Sequence, residues 1–366
     1  MIPGERSPAE SAYLQAVLQA SALAAAVLGE MERVAEALAP ERSRALAEAV
    51  DARFAADVAR AAAALAAAPP PPDFARFQAV FEPAFEHTRR CVELFTGFPY
   101  APASARIGHI LEALHHHAQA QEHFYVLRSL LPPFTDYWTT EAARAAGHAD
   151  PPPDPARPPL VRVAAGGHHG GFALYVPESY DASRAWPLVV ALHGGSGNGR
   201  DFLWTWVREA RSRGYLLLAP SSAGPTWDES DDRGLGEILA WLHRRYRLAR
   251  ERVLLTGLSD GATFALVFGL AHPEVYRALA PCCGVFHPVG LDNGNLERAR
   301  DVPIYLVHGA QDFLFPVQYA HMTRDILTGA GADLTYREIA DLSHTYPRSE
   351  NGPILDWFER VAPPAA

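Results

Sequence analysis

Ser259 stands between Gly257 and Gly261 in the stretch "GLSDG". An apolar run, "RVLLTGLS" (252–259), leads into it, and "GATFALVFGLAH" (261–272) follows with helical spacing. The first reads as a strand and the second as a helix. A serine on a strand-to-helix turn is lifted clear of the sheet, and its flanks must be small because strand and helix crowd the turn. The helix N-terminus behind it favours negative charge developing there. Such a hydroxyl becomes a nucleophile only with a base, and the base needs an orienting acid. "LVHGAQDFLFP" (306–316) puts Asp312 just past a strand, and "ADLSHTYP" (340–347) puts His344 in a loop after the next one. The chain order is then Ser259, Asp312, His344. Taken alone, the five-residue pattern also describes an ordinary glycine-flanked turn. Asp341 is a rival acid, set aside because it sits at a strand's end. His308 precedes Gly309 on a strand and reads as structural. His272 and His287 do not fall in the right place in the order.

Attack on a carbonyl also requires donors for the developing oxyanion. "ALHGGSGNG" (191–199) follows a core strand, and its glycines leave backbone N–H groups unobstructed. Gly195 is the first choice there, with Ser196 the alternative. The second donor is the N–H of Asp260, the residue after the serine. The same loop is no phosphate cradle: it lacks the Lys-Ser/Thr of a P-loop and the spacing of a dinucleotide fingerprint.

These groups must be held by a sheet. "LVRVAAG" (160–166), "GFALYVPES" (171–179), "WPLVVALHG" (186–194), "YLLLAPSS" (215–222), "RALAPCCGV" (277–285), "VPIYLVHGA" (302–310) and "LTYREIA" (334–340) join 252–259 as strands. Helices at 235–246, 261–272, 317–331 and 352–361 alternate with them. The pattern predicts a mostly parallel sheet covered by helices on both faces. Residues 1–148 read as all-helical. "SPAE" (7–10) is a capping box, a helix runs to about Ala39, and further helices cover 41–67, 73–95 and 104–131, with a short one ending near Gly147. Between the two parts, 149–159 lies in the proline-rich "HADPPPDPARPP" and reads as a linker, which places the second domain at 160–366.

Composition narrows the function classes. The net charge of −10 lacks the basic footprint of a nucleic-acid binder. All 32 basic residues are arginine, so lysine Schiff-base chemistry is excluded. Three cysteines, Cys91 and the adjacent Cys282 and Cys283, make no disulfide framework, and a cytoplasmic location is the expectation. No unbroken apolar run reaches the ~18 residues of a membrane span. "AVLQASALAAAVLG" (16–29) has the texture of a signal h-region, but the segment before it has no basic cluster, and an amphipathic helix is the preferred reading.

Residues 160–362 resemble the α/β-hydrolase superfamily. "LHGG" after a strand, "GLSDG", "HGAQDFLFP" and "SHTYP" carry the resemblance. "YVPESYDASRAWPLVVALHGGSGNG" is similar to the compact phospholipase/carboxylesterase group, and also to polyhydroxyalkanoate-depolymerase-like and feruloyl-esterase-like enzymes. The resemblance implies an α/β-hydrolase fold and ester hydrolysis through an acyl-serine intermediate, with no cofactor and no metal. Asp260 departs from the pattern, since glutamine or another residue is common there. Its carboxylate either disfavours anionic substrates or turns away to hold a loop. The helical part lies outside the resemblance.

The expected activity is that of a serine carboxylic-ester hydrolase on short-chain or aryl esters, small or polymeric. A peptidase of the prolyl-oligopeptidase type shares the triad order but would want a propeller domain that the chain does not offer. A non-catalytic binding protein would not need the full set of residues. Trp204, Trp227, Phe286 and Phe313 are the chosen substrate-binding residues, with Trp206, Phe315 and Tyr346 as further aromatic candidates. About fifteen residues separate "CCGVFHP" from "DVPIYLVHG", too few for a large lid. The helical domain is therefore expected to act as a lid, in packing or in homo-oligomer contacts. His109, Glu112 and His116 share a helix face with His123 further along and Glu86 or His87 nearby; a solvated polar face is preferred there over a metal site.

Overall fold

The computed structural model describes residues 7–148, 151, 157–163 and 170–364. The apolar runs form the strands β1 (Leu160–Val163), β2 (Phe172–Tyr175), β3 (Trp186–Leu192), β4 (Leu216–Pro220), β5 (Leu248–Leu258), β6 (Ala278–Cys282), β7 (Ile304–Gly309) and β8 (Leu334–Ile339). They make one eight-stranded sheet in the order β1-β2-β4-β3-β5-β6-β7-β8. The pairs β1/β2 and β2/β4 are antiparallel, and every other neighbouring pair is parallel. The central strands β3, β4, β6 and β7 are buried along their whole length. That is why they read as continuous apolar runs and not as alternating ones. Pro187 cannot donate to the ladder, and the β3/β5 register shifts between Trp186 and Leu188.

The helices of the chain are α1 (Pro8–Ala37), α2 (Ser43–Val50), α3 (Ala56–Ala67), α4 (Ala75–Gly97), α5 (Arg106–Leu127), α6 (Glu141–Ala145), α7 (Gly199–Phe202), α8 (Val207–Arg213), α9 (Ser230–Arg245), α10 (Asp260–Ala271), α11 (Val289–Asp292), α12 (Asn295–Arg298), α13 (Val317–Gly329) and α14 (Asn351–Val361). Between β3 and β4 the chain forms α7 and α8, where the sequence reading has no element. Four-residue α7 is too short for a periodic signal, and the Asn198 side chain that caps it stands in a glycine-rich stretch. The connection from β6 to β7 carries α11 and α12, each a single turn, and a 3-10 turn at Ala299–Asp301.

The chain divides into two compact units, Met1–Trp138 and Thr139–Ala366. The division falls ahead of the proline-rich run, because Thr139 and Thr140 already bond to α8 of the second unit. The Thr140 N–H donates to Ser212 Oγ at 2.9 Å, and Arg211 bonds the Thr139 hydroxyl. Most of the 149–159 linker, and most of the "GGHHGG" turn after β1, lie outside the described residues.

The first unit contains α1–α5. Its opening capping box forms as read, with Ser7 Oγ accepting from the Glu10 N–H (3.2 Å) and Glu10 Oε2 from the Ser7 N–H (2.8 Å). α1 is long and apolar enough to cross a membrane, which a search for an unbroken apolar run misses because small and polar residues interrupt it. About 44 % of its most apolar stretch is buried inside the protein, including Val17, Ala24, Val27 and Leu28.

All three cysteines are free and buried. Burial pushes the Cys91 and Cys283 thiols up to about 12 and Cys282 well above the ordinary thiol value. At pH 8 a thiol at about 12 is thiolate only to the order of 10⁻⁴, and thiolate is the reactive form. Ellman's reagent is therefore expected to titrate no thiol in the native protein and three in guanidinium chloride. Prompt reaction of the native protein would contradict this burial.

Candidate active site

The turn between β5 and α10 explains its own sequence. Ser259 has φ 55° and ψ −116°, a backbone conformation strained for any residue with a Cβ. Its N–H donates to the Cys282 carbonyl (2.9 Å), and its carbonyl accepts from the Thr263 N–H (2.9 Å), so neighbouring structure over-determines the strain. A Cβ at Gly257 would lie 2.6 Å from the Gly261 backbone, and one at Gly261 would lie 2.3 Å from the His193 carbonyl oxygen. Both glycines are there because backbone occupies the space a side chain needs.

His344 Nε2 is 2.7 Å from Ser259 Oγ, and His344 Nδ1 is 2.8 Å from Asp312 Oδ2. A carboxylate can only accept, so Nδ1 carries the hydrogen and Nε2 is left to accept the serine hydroxyl proton. The Asp312 side chain is fully buried. Its other oxygen, Oδ1, accepts the N–H groups of Leu314 (2.9 Å) and Phe315 (2.8 Å). These bonds satisfy the buried carboxylate and aim Oδ2 at the imidazole.

The rivals lie elsewhere. Asp341 is exposed beyond the end of β8. His308 is buried, with Nε2 2.8 Å from the Phe315 carbonyl oxygen and 3.4 Å from Asp312 Oδ2. Burial pushes its pKa down, which favours the neutral ring. His272 faces Asp232 (3.2 Å) and Glu274 (3.4 Å), and exposed His287 accepts the Val289 N–H through Nδ1.

In the loop after β3, the Ser196 N–H donates to the Pro225 carbonyl (2.6 Å) and the Gly197 N–H to the Gly194 carbonyl (3.0 Å). Ser196 is thereby engaged, and Gly195 keeps the N–H that none of these bonds uses. A Cβ at Gly195 would lie 3.9 Å from Asp260 Cβ, so the two proposed donors are neighbours. The Asp260 N–H opens α10 and has no intrahelical acceptor. The Asp260 carboxylate turns away to hold a loop: Oδ2 accepts the Trp227 N–H at 2.7 Å. Burial pushes its pKa up, and the bond from Trp227 works against that.

The aromatic candidates separate by exposure. Trp204 (2 % exposed) and Trp227 (7 %) are buried rather than lining open surface. Trp204 sits in the packed turn after α7, its carbonyl accepting from Arg348 (2.6 Å). Trp227 stacks on Phe264 and donates its indole N–H to the His193 carbonyl (2.8 Å). Trp206 is fully buried. Half-buried Phe286 packs over Gly290, and Tyr346 bonds Asn351 Oδ1 (2.7 Å). Phe313 is 56 % exposed, and both Phe313 and Phe315 present ring edges to His344, at 6.4 and 5.3 Å between centroids. Of the seven aromatic candidates, Phe313 and Phe315 are the two whose rings pack against the His344 ring.

The sequence reading missed His193. Its Nε2 accepts the Ser222 N–H (3.0 Å), so Nδ1 carries the hydrogen and donates to the Gly194 carbonyl (2.7 Å). The only signal was a histidine beside the paired glycines of "LHGG". In the helical unit, His87 and His116 meet Nδ1 to Nδ1 at 2.7 Å, His123 stacks on His87, and Glu112 lies 3.7 Å from His116. His109 keeps a buried Nδ1 without a partner. Among the described residues no three His, Cys, Asp or Glu side chains converge as a metal site would require.

Comparison with known proteins finds a match of residues 237–359 to the phospholipase/carboxylesterase family model. That span contains Ser259, Asp312 and His344. A bifunctional acetylxylan esterase/xylanase of Neocallimastix patriciarum is 28 % identical over 187 residues, covering 49 % of this chain and 26 % of the relative. A probable feruloyl esterase C of Aspergillus terreus is 26 % identical over 157 residues, covering 40 % of this chain and 56 % of the relative. The chain thus spans between about a quarter and about half of the length of these relatives. Among solved structures, a thermostable esterase is 22 % identical at a TM-score of 0.47, covering 55 % of this chain and 63 % of that one.

Proposed function

We propose that this chain is an esterase-like serine hydrolase of the α/β-hydrolase superfamily and that it cleaves carboxylic esters through an acyl-serine intermediate on Ser259. The observation that carries the reading is the unbroken relay from Ser259 Oγ to His344 to Asp312, at 2.7 and 2.8 Å. His344 Nε2 takes the serine proton as Oγ bonds the carbonyl carbon. Asp312 holds the tautomer and stabilises the imidazolium. The carbonyl oxygen becomes an oxyanion facing the N–H groups of Gly195 and Asp260. Collapse expels the alcohol, which leaves with the proton from His344. Water then attacks the acyl-serine, giving its proton to His344, and the acid departs as Ser259 recovers the hydrogen.

The substrate class rests on two supports. The relatives are an acetylxylan esterase and a feruloyl esterase by name, which points to short acyl or aryl acyl groups. Exposed Phe313 beside His344 offers apolar surface next to the reacting atoms. Turnover of p-nitrophenyl esters is expected to peak at acetate to butyrate and to fall at least tenfold by palmitate. The check is a chain-length series with matched p-nitroanilides. A palmitate optimum would overturn the short-acyl assignment, and cleavage of anilides without esters would replace the esterase reading with a peptidase.

A further inference from the structure

We propose that Trp227 is a positioning residue for the oxyanion pocket, tying the nucleophile turn to the glycine loop that faces it. This rests on the reading of Gly195 and Asp260 as oxyanion donors. Two separate segments supply those N–H groups, the loop after β3 and the first residue of α10. An oxyanion gains most when both donors are held before it forms. No direct bond between the two segments is needed if a third one grips both.

The stretch Ser221–Trp227 after β4 does so. The Trp227 backbone N–H donates to Asp260 Oδ2 (2.7 Å), on the turn side. Its indole N–H donates to the His193 carbonyl (2.8 Å), on the loop side, two residues before Gly195. The Trp227 ring lies 4.9 Å from the His193 ring and stacks on Phe264 of α10 at 5.5 Å, so packing fixes its direction. The same stretch holds the loop at further points: Pro225 accepts the Ser196 N–H, the Ser222 N–H reaches His193 Nε2, and Ser221 Oγ accepts the Gly199 N–H at 2.9 Å. Trp227 alone among these bonds the serine turn and the loop at once. Its 7 % exposure leaves almost no ring surface for a substrate. This separates the present role from the wall that its residue type suggests.

The full chain carrying Trp227→Phe tests it. Phenylalanine keeps a ring for packing and loses the indole N–H. Loss of an oxyanion donor outright costs ~10²–10³ in kcat. A donor merely loosened is expected to cost about tenfold, with KM within twofold. The affinity of phenylboronic acid, which forms a tetrahedral adduct on the serine, should weaken by a similar factor. Read as a rise in melting temperature, that affinity needs no turnover. Asp260→Ala removes the other anchor and should depress kcat likewise, and Asp260→Asn, which keeps an acceptor for the Trp227 N–H, should recover most of it. A raised KM with unchanged kcat would make Trp227 a substrate wall and overturn the proposal, as would kcat, KM and boronate affinity all unchanged. Ser259→Ala run alongside separates the failures. Turnover or boronate binding that survives it overturns the serine-esterase reading itself, whatever Trp227 does.

Discussion

Ser259→Ala is expected to lower kcat on a p-nitrophenyl ester by about a million-fold, ~8 kcal/mol of transition-state stabilisation. The loss is total for the covalent route, because alanine offers no atom for the acyl group. Residual turnover would come only from general polarisation of the ester in the pocket. The same position predicts an opposite effect on stability. Ser259 holds φ 55°, which any residue with a Cβ adopts at a cost of about 1–3 kcal/mol. Alanine retains that cost, whereas glycine does not. Glycine gives back ~0.5–1 kcal/mol through the greater freedom of its unfolded chain. Ser259→Gly is therefore expected to be as inactive as Ser259→Ala and to melt a few degrees higher. Thermal unfolding of the two variants side by side checks this. A glycine variant melting below the alanine one would mean that the turn is not strained.

Asp312→Asn is expected to lower kcat by about 10⁴-fold, roughly a hundredfold less than loss of the nucleophile or the base. The reason lies in which oxygen does what. Asp312 Oδ1 accepts two backbone N–H groups, from Leu314 and Phe315. In asparagine only the amide oxygen can take those bonds. The NH₂ group must then occupy the Oδ2 position, 2.8 Å from His344 Nδ1. Two donors would face each other there unless His344 changed tautomer. With the hydrogen moved to Nε2, the imidazole can no longer accept the Ser259 proton. Substrate binding does not depend on the tautomer, so KM should stay within a few-fold. Steady-state kinetics over pH 5–9 checks this. An asparagine variant within tenfold of the parent would show that Asp312 is not the orienting acid and return attention to Asp341.

Local signals carried much of this molecule. Continuous apolar runs predict buried parallel strands because both faces of a central strand are covered, and β3, β4, β6 and β7 lie where those runs are. The capping box at Ser7 is a short-range bond pattern, fully specified by residues three apart. The glycines around Ser259 mark a backbone crossing too close for a Cβ, which any tight strand-to-helix turn imposes. Signals fail where they are too short or too long in range. The single turn of α7 is shorter than a helical period can register. Contacts of long range add what local signals do not carry: the compact units part between Trp138 and Thr139, and Thr139 and Thr140 bond to α8 far along the chain.

By sequence alone, residue types, their order and their local conformations are determined: a serine on a glycine-flanked turn, an acid and a histidine in loops after later strands, a glycine loop after an early one. Each rests on interactions within a few residues, so neighbours suffice to specify it. What only the tertiary structure decides is which groups meet. It puts Asp312 rather than Asp341 against His344, engages Ser196 and leaves Gly195, turns the Asp260 carboxylate onto Trp227, and buries Trp204 and Trp227 while Phe313 stays exposed. Those outcomes depend on hydrogen-bond directions and contacts between segments tens of residues apart. They follow from how the strands are ordered in the sheet, which no spacing along the chain encodes.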